Sequence, residues 1–293
     1  MSPNNEPKLR MAPPESAEQL AHRVEHEQRA ALHQREFILD KSLAPFRVGS
    51  VRALNTVPLT RGLEDEVIYA TPSQLAEMLR RDELDAALVS IVEPLLTGRY
   101  DILDGIAVAA LGEVRSVLMA HRRPIEEITE VYCDTASLTS VQLLKVLLAE
   151  RGLRPEFKPL AGYDFSQLPD YALLIGDNAL DLALGPHEHQ IWDLGQAWFE
   201  ITGLPFVFAA WSLRRGLENS GLRRQLREAR DFGLDTLDHI IQSRTEYTLD
   251  FRKDYLGWHL HYHLGTDEKR GIARFIELLR KHGNTVFDPC FVT

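Results

Sequence analysis

The sequence predicts an α/β protein of two domains with a ligand cleft between them. The chain has 293 residues, which is more than a single hydrophobic core usually supports. Short apolar runs alternate with helical segments, a pattern typical of open, largely parallel sheets with helices on both faces. The segments 85–90 and 170–177 also resemble each other, since each follows a helix and a short connection. Two similar halves place a ligand between them, at the carboxyl ends of strands.

The first half of the chain is predicted to form strands around one clear helix. Thr71-Pro72-Ser73-Gln74 offers an N-cap, a proline at the first helical position and a capping-box glutamine, and it predicts a helix to about Arg81. The continuous apolar run 84–90 is typical of a strand that is buried on both faces. The strands predicted in this half are 47–51, 67–70, 84–90, 106–110 and 114–120.

The second half repeats this alternation. A polar loop leads into Thr139-Ser140-Val141-Gln142, which predicts a helix to about Arg151 with Thr139 as its cap. After the last strand the chain is predicted to be mostly helical. The strands predicted here are 131–134, 171–175, 191–194 and 206–211, and the helices of the tail are 217–243 and 267–282.

The domain organisation follows from these elements. Residues 1–45 are predicted to be a polar N-terminal extension, because their apolar stripe is too thin to bury much surface. The chain is expected to cross between domains near Pro124 and Ala209. Residues 46–125 plus 210–293 are therefore predicted to form domain I, and residues 126–209 domain II.

Composition excludes several classes of function. The formal net charge is -10 and no block of consecutive basic residues occurs, which argues against nucleic-acid or anionic-membrane partners. No apolar run is long enough for a transmembrane helix, and the N-terminus lacks the apolar core of a signal peptide. We therefore expect a cytoplasmic protein. Cys133 and Cys290 form no CxxC pair, so they are expected to be reduced thiols.

Two groups of histidines have metal-ligand spacing. His22 and His26, with His33 nearby, lie in the extension, and His259, His261 and His263 alternate in the tail. Alternate residues of a strand share one face and could bind zinc. Because no acidic or cysteine partner lies nearby in the sequence, a polar helix or strand face is favoured, and no metal site is predicted.

The loop 134–142 is the clearest candidate binding element. It lies after a strand and opens a helix, so its free backbone N–H groups and its hydroxyls favour a carboxylate or phosphate. The absence of GxGxxG and GKS/T patterns argues against a nucleotide. Capping by Thr139 alone is the structural alternative, but one cap does not require four hydroxyls in six residues. The hydroxyls are those of Thr135, Ser137, Thr139 and Ser140.

Two further segments carry candidate residues. Arg115 is predicted to lie within an apolar strand, where it either clamps a carboxylate or pairs with a nearby acidic residue. The segment 54–59 follows the first strand, and its Asn55 and Thr56 stand close to a proline. Spacing alone favours an ordinary turn there.

At these motifs the sequence resembles a known family. The order and spacing of the motifs, from about 47 to 280, are similar to those of the menaquinone-biosynthesis family of chorismate dehydratases. The motifs are 48–51 (VGSV), 54–59 (LNTVPL), 72–76 (PSQLA), 84–89 (LDAALV), 114–117 (VRSV), 134–141 (DTASLTSV), 174–177 (LIGD), 193–195 (DLG) and 202–209 (TGLPFVFA).

The resemblance implies a fold, a reaction and a set of residues. The fold is a two-domain type II periplasmic-binding-protein-like fold, and the reaction converts chorismate to 3-[(1-carboxyvinyl)oxy]benzoate in the futalosine route, with neither metal nor other cofactor. Asn55 and Ser116 are implied as catalytic residues. The residues implied to bind substrate are Thr56, Ser90, Arg115, Ser137, Thr139, Ser140, Gly176 and Asp177.

Three alternatives remain open at this stage. A non-catalytic binding protein for a carboxylate or aromatic solute would share the fold, but the missing export signal argues against it. The related 1,4-dihydroxy-6-naphthoate synthase would be expected to have a Ser/Cys/Pro/Asn-rich loop where this chain has residues 54–58. An interaction or regulatory protein would fit the extension 1–45.

Overall fold

The computed structural model describes residues 43–293. Most of the expected extension, with His22, His26 and His33, lies outside the described residues. The strands are β1 Val48–Ser50, β2 Ile68–Tyr69, β3 Ala86–Ser90, β4 Tyr100–Ala110, β5 Val117–His121, β6 Glu130–Cys133, β7 Glu156–Pro159, β8 Tyr171–Ile175, β9 Gln190–Asp193, β10 Phe206–Arg214 and β11 Phe291–Val292. The α-helices are α1 Pro72–Arg80, α2 Val92–Thr97, α3 Leu138–Glu150, α4 Gly176–Leu184, α5 Leu194–Thr202, α6 Ser220–Asp235, α7 Leu237–Ser243, α8 Leu249–Asp254 and α9 Thr266–Lys281.

The strands form two sheets, in the orders β11-β4-β10-β3-β1-β2 and β7-β6-β8-β5-β9. We call the first sheet and its helices the first lobe, and the second sheet and its helices the second lobe. This two-sheet α/β architecture confirms the predicted fold class. The sheets are mixed rather than largely parallel, because β10 is antiparallel to β3 and β4, and β5 is antiparallel to β8 and β9.

The two reversed strands have a common cause. β5 and β10 are the strands by which the chain enters one sheet from the other. A strand that arrives from the cleft must run away from it, whereas the other strands run toward it. Hydrophobic periodicity reports burial and not strand direction, so the sequence did not reveal the reversal.

The crossings lie elsewhere than the sequence indicated. The chain leaves the first sheet after Ala110 and enters the second at Val117, and it returns between Asp193 and Phe206. The structure therefore places β5 in the second sheet, although residues up to 125 were expected in domain I. A buried apolar strand has the same pattern in either sheet, and this explains the difference.

The first helix forms as its sequence predicts. The Gln74 N–H donates to the Thr71 hydroxyl at 3.3 Å, and the Thr71 N–H donates to the Gln74 side chain at 3.0 Å. This capping box fixes the start of α1. Leu75 and Leu79 of α1 are fully buried in a cluster that includes Val89 of β3. Each leucine buried in this way contributes about 1.5–3 kcal/mol.

The tail after β10 returns toward the cleft. The predicted helix 217–243 is divided into α6 and α7 at Thr236, and α8 follows. One π-helical turn, Tyr255–His259, comes next, and then His261 pairs with Ala109 of β4. Single π turns are rare and frequently lie at functional sites. The turn brings Tyr255 close to residues of the cavity described below.

Candidate functional site

A cavity of about 710 Å³ lies between the two lobes. Its walls come from both sheets and from the loops at their strand ends, as expected for a two-domain α/β fold. The volume is that of a typical small-molecule site. Of the ten predicted site residues, eight line it: Asn55, Thr56, Ser90, Ser116, Ser137, Ser140, Gly176 and Asp177. Arg115 and Thr139 do not.

Asn55 lines the cavity and has a buried side-chain oxygen without a hydrogen-bond partner among residues 43–293. The residue lies in a 3-10 helix, Leu54–Leu59, which follows β1. A buried polar atom without a partner destabilises a fold by about 1–3 kcal/mol. Asn55 is therefore a candidate to accept a hydrogen bond from a ligand.

The Thr56 side chain, unlike that of Asn55, has hydrogen-bond partners in the main chain of the protein. Its hydroxyl donates to the main-chain oxygens of Val51 and Ala53, at 2.8 and 2.9 Å. These bonds hold the 3-10 helix against the end of β1. Thr56 therefore shapes the wall that positions Asn55.

Tyr255 lies beside two of the predicted catalytic residues. Burial raises the pKa of Tyr255, and the side chains of Ser116 and Asn55 are close enough to its hydroxyl to oppose that rise. Ser116 is itself 2% exposed, and its hydroxyl lies 3.4 Å from the Val114 main-chain oxygen. Tyr255 was not among the predicted site residues, because only the tertiary structure brings the tail to the cavity.

Hydroxyls cluster at the start of α3. The N-cap is Ser137 rather than Thr139, and its hydroxyl accepts from the Ser140 N–H at 3.4 Å and from the Ser140 hydroxyl at 3.1 Å. Ser137 and Ser140, both from the predicted loop, line the cavity. A ligand carboxylate would meet hydroxyls there and fewer free N–H groups than the sequence indicated.

Thr139 instead faces the first lobe. It is fully buried, and its hydroxyl accepts from the Ser90 hydroxyl at 2.8 Å and from the Val92 N–H at 3.2 Å. The Thr139 N–H donates to the Ser90 hydroxyl at 3.0 Å. Thr139 thereby positions Ser90, which does line the cavity.

The end of β8 forms the opposite wall. Gly176 has a φ of 56°, in the left-handed region that favours glycine, and its N–H donates to the Ser116 main-chain oxygen at 2.8 Å. The next residue, Asp177, is exposed to the cavity. Partial desolvation raises the pKa of Asp177, and the charges of Asp181 and Glu246 add to the rise.

Arg115 is not on a strand. It lies in the loop before β5 with a φ of 67°, and its guanidinium is 3.6 Å from the Glu113 carboxylate. Its N–H donates to Asp193 at 2.7 Å, which holds this loop against the start of α5. The predicted strand 114–120 begins instead at Val117, because the positive φ at Arg115 ends regular extended backbone.

Arg52 is the basic residue that does line the cavity, and among the described lining residues it is the only one. Its guanidinium lies 4.7 Å from the centre of the Tyr69 ring, an arrangement that holds a cation without neutralising it. The position of Arg52 directly after a strand was the sequence feature that could have identified it.

Asp134 and Tyr163 complete the rim. Asp134 is buried and accepts the Ala136 N–H at 2.9 Å, and its carboxylate lies close to the Tyr163 hydroxyl. Partial burial and this carboxylate raise the pKa of Tyr163 to about 12. Tyr163 therefore stays neutral and remains a donor across the physiological range.

Comparisons with known proteins identify the family. A family model described as "Menaquinone biosynthesis" matches residues 46–281. The chorismate dehydratase of Thermus thermophilus is 33% identical in an alignment of 264 positions that covers 81% of this chain and 96% of that protein. The chorismate dehydratase of Campylobacter jejuni is 29% identical over 76% of this chain and 89% of that protein.

Solved structures show the same fold at low identity. A protein of Archaeoglobus fulgidus has a TM-score of 0.65 with 17% identity, over 81% of this chain and 97% of that one. The alkanesulfonate-binding protein of Xanthomonas axonopodis has a TM-score of 0.59 with 13% identity, over 84% and 95% of the two chains. The periplasmic-binding-protein-like fold expected from the sequence is therefore confirmed. Because a family model matches most of the chain and a relative of 33% identity spans nearly the same length, the chain belongs to the menaquinone biosynthesis family.

Proposed function

We propose that this protein is a chorismate dehydratase, which removes one water from chorismate to give 3-[(1-carboxyvinyl)oxy]benzoate in menaquinone biosynthesis. Two curated relatives that carry this name support the proposal. The structural observation that carries it is the unpaired side-chain oxygen of Asn55 at the cavity wall. Chorismate has a hydroxyl at C4, the group that leaves, and this hydroxyl is a donor that would satisfy the Asn55 oxygen.

The proposed reaction breaks the C3–H and C4–O bonds of the substrate. The C3 hydrogen is acidified through the C1–C2 double bond and the ring carboxylate. The electron pair of the C3–H bond enters the ring, and the C4 oxygen leaves as water with its own hydrogen and one proton. Because the ring becomes aromatic, the reaction is driven without a metal or redox cofactor. The substrate's own enolpyruvyl carboxylate is our candidate acceptor for the C3 proton.

Positioning and electrostatics are then the main contributions of the protein. In this proposal Asn55 and Ser116, held by Tyr255, orient the reacting carbons. A carboxylate of the substrate lies at the Ser137 and Ser140 hydroxyls, with Ser90 beside them.

The second carboxylate needs a cation, and Arg52 meets this requirement better than Arg115. Arg52 lines the cavity, whereas the Arg115 guanidinium faces Glu113. Asp177 borders the cavity with a raised pKa, so its protonated form can donate to the departing oxygen.

We further propose that the enzyme acts in the futalosine route and in the cytoplasm. The family description and the relatives named for a biosynthetic reaction support both points. Within residues 43–293, no helix has the length and apolar character needed to cross a membrane.

The alternative functions have less support. The binding proteins among the solved structures share the fold at identities such as 13%, and a fold alone does not carry function. The relatives of higher identity are dehydratases and not naphthoate synthases.

The test is to incubate the purified full-length protein with chorismate and to follow products by ultraviolet absorbance and mass spectrometry. We expect an aromatic enol ether that is lighter than chorismate by one water. Asn55→Ala should lower kcat by about 100-fold or more. Asn219→Ala is a matched control, because Asn219 lies at the start of α6 and its side chain makes no capping hydrogen bond.

Two results would contradict parts of this proposal. Tight binding of chorismate without turnover would indicate a solute-binding protein. Full turnover by Asn55→Ala would remove Asn55 from the reaction while leaving the enzyme assignment intact.

A further inference from the structure

Three potential ligand atoms converge in the C-terminal tail, away from the cavity. The Nε2 atoms of His261 and His263 lie 3.0 and 3.3 Å from Oε1 of Glu268. The three ligand atoms all lie within 4.8 Å of one another, and among residues 43–293 no other such group of histidine, cysteine and acidic side chains occurs. No metal site was predicted from these histidines, because no acidic residue lies next to them in the sequence. Glu268 follows His261 by seven residues, however, and folds back onto it.

We propose that His261, His263 and Glu268 bind a divalent transition metal ion, with Zn²⁺ as the best match. Zinc binds histidine nitrogen and carboxylate oxygen at about 2.0–2.2 Å in tetrahedral sites. Two ligand atoms on a tetrahedral centre of that size are separated by about 3.3 Å. The two nitrogen–oxygen distances in this cluster are close to that edge length.

Without a metal ion, the three side chains could interact only through hydrogen bonds to a single carboxylate oxygen. Both imidazoles would have to carry their proton on Nε2, and both would donate to one carboxylate oxygen. A metal ion replaces both protons and contacts all three atoms at once.

Two of the three ligands are already fixed in place. Glu268 is 4% exposed, and its second oxygen accepts the Gly265 N–H at 2.8 Å, at the first turn of α9. The main chain of His261 exchanges hydrogen bonds of 2.9 and 3.0 Å with Ala109. Partners that orient metal ligands in this way strengthen metal binding. Little ordering would therefore be needed when the ion arrives.

The fourth coordination position is open to solvent. The His263 side chain is 61% exposed, so a water molecule can complete the tetrahedron. None of the three ligands lines the cavity, although Leu260, immediately before His261, does. The ion would therefore have a structural role, since it joins the start of α9 to the end of β4 beneath the cavity.

The test compares zinc binding by three full-length proteins after treatment with a chelator: the wild type, His263→Gln and His187→Gln. His263 is exposed, so its replacement should leave the fold intact. His187 is an exposed histidine of the second lobe and serves as the matched control. Equilibrium dialysis against Zn²⁺ with elemental analysis gives the bound metal. Because His22, His26 and His33 are present in all three proteins, any zinc that they bind cancels in the comparison.

We expect His263→Gln to lose one zinc or to bind it at least about 10-fold more weakly, and His187→Gln to match the wild type. Zn²⁺ should also raise the Tm of the wild type and of His187→Gln but not of His263→Gln. Co²⁺ in place of zinc should give the visible bands of tetrahedral coordination, and these should be absent in His263→Gln. Equal zinc binding by all three proteins would overturn the proposal, whatever their activity on chorismate.

Discussion

Ser90 and Thr139 belong to opposite lobes and exchange two hydrogen bonds. The Ser90 hydroxyl donates to the Thr139 hydroxyl at 2.8 Å, and the Thr139 N–H donates back to the Ser90 hydroxyl at 3.0 Å. The pair therefore fixes the separation of the two lobes at one wall of the cavity. Both residues were predicted to bind substrate, but only Ser90 borders the cavity.

Thr139→Val keeps the shape of the side chain and removes its hydroxyl. The Ser90 hydroxyl and the Val92 N–H then lose an acceptor inside the protein. We expect the free energy of unfolding to fall by about 1–3 kcal/mol, as measured by urea denaturation. Thr135→Val, at an exposed position of the same loop, should change it by less than about 0.5 kcal/mol. Equal effects of the two changes would show that the bonds between lobes contribute nothing.

Tyr255→Phe tests the link between the two predicted catalytic residues. Loss of the hydroxyl frees Ser116 and Asn55, so kcat should fall by about 5- to 10-fold with little change in KM. Tyr262→Phe is the matched control, because that hydroxyl is also buried but has no partner among residues 43–293. Its removal should leave kcat unchanged. A double variant with Asn55→Ala should show less than additive losses, and strict additivity would separate Tyr255 from Asn55.

Arg52 and Arg115 are distinguished by their effects on KM. Arg52 borders the cavity, so Arg52→Gln should raise KM for chorismate by about 10-fold or more through loss of a charge-assisted contact. The Arg115 guanidinium faces Glu113 outside the cavity, so Arg115→Gln should change KM less than twofold. Initial-rate measurements over a range of chorismate concentrations give both values. If Arg115→Gln raised KM more than Arg52→Gln, Arg115 and not Arg52 would be the residue that contacts the carboxylate.

Asp177 should make stability depend on pH in a defined direction. Its pKa is raised in the folded protein by partial desolvation and by Asp181 and Glu246, so the folded state binds the proton more tightly than the unfolded chain. The folded state is therefore penalised as pH rises from the unfolded pKa, about 3.9, through the folded one. Asp177→Asn should raise the Tm at pH 7, and this gain should vanish as pH falls below about 4.

Asp164 serves as a control, because its pKa is lowered in the folded protein whereas that of Asp177 is raised. Hydrogen bonds from Ser166 lower the pKa of its carboxyl, so its contribution is present at neutral pH and is lost as pH falls through the lowered folded pKa. Asp164→Asn should therefore lower the Tm at pH 7 or leave it unchanged. A gain in Tm from Asp177→Asn that persisted at pH 3 would show a cause other than ionisation.

Local sequence patterns predicted the elements of the fold well. The capping box at Thr71 forms as expected, and the buried strand predicted at 84–90 forms at 86–90, because both depend on residues adjacent in the chain. The lobe that β5 joins and the directions of β5 and β10 were not predictable in this way. Those properties depend on which strands a segment pairs with, and the residues of an apolar run do not identify its partner strands.

The same distinction between local sequence patterns and tertiary structure applies to the residues of the candidate site. Ser137 and Ser140 were identified from the start of a helix, whereas Gly176 and Asp177 were implied by the family resemblance, and all four line the cavity. Arg115 was assigned to a strand, but a positive φ turns its backbone away. Tyr255 lies 139 residues after Ser116 in the chain, and only the return of the tail brings them together.

The register of β4 and β10 shows how the second lobe is attached. Ala110, the last residue of β4, is paired with Phe206, the first residue of β10. At the other end of the crossing, Leu118 of β5 is paired with Asp193 of β9. The entire second lobe is thus inserted where a tight hairpin turn would suffice to connect two neighbouring antiparallel strands. Exchange of residues 111–205 for such a turn would leave the hydrogen-bond ladder of the first sheet unbroken. It would also remove Trp198, whose ring packs against Phe206 and Phe275, so the insertion contributes to the common core as well as to the cavity.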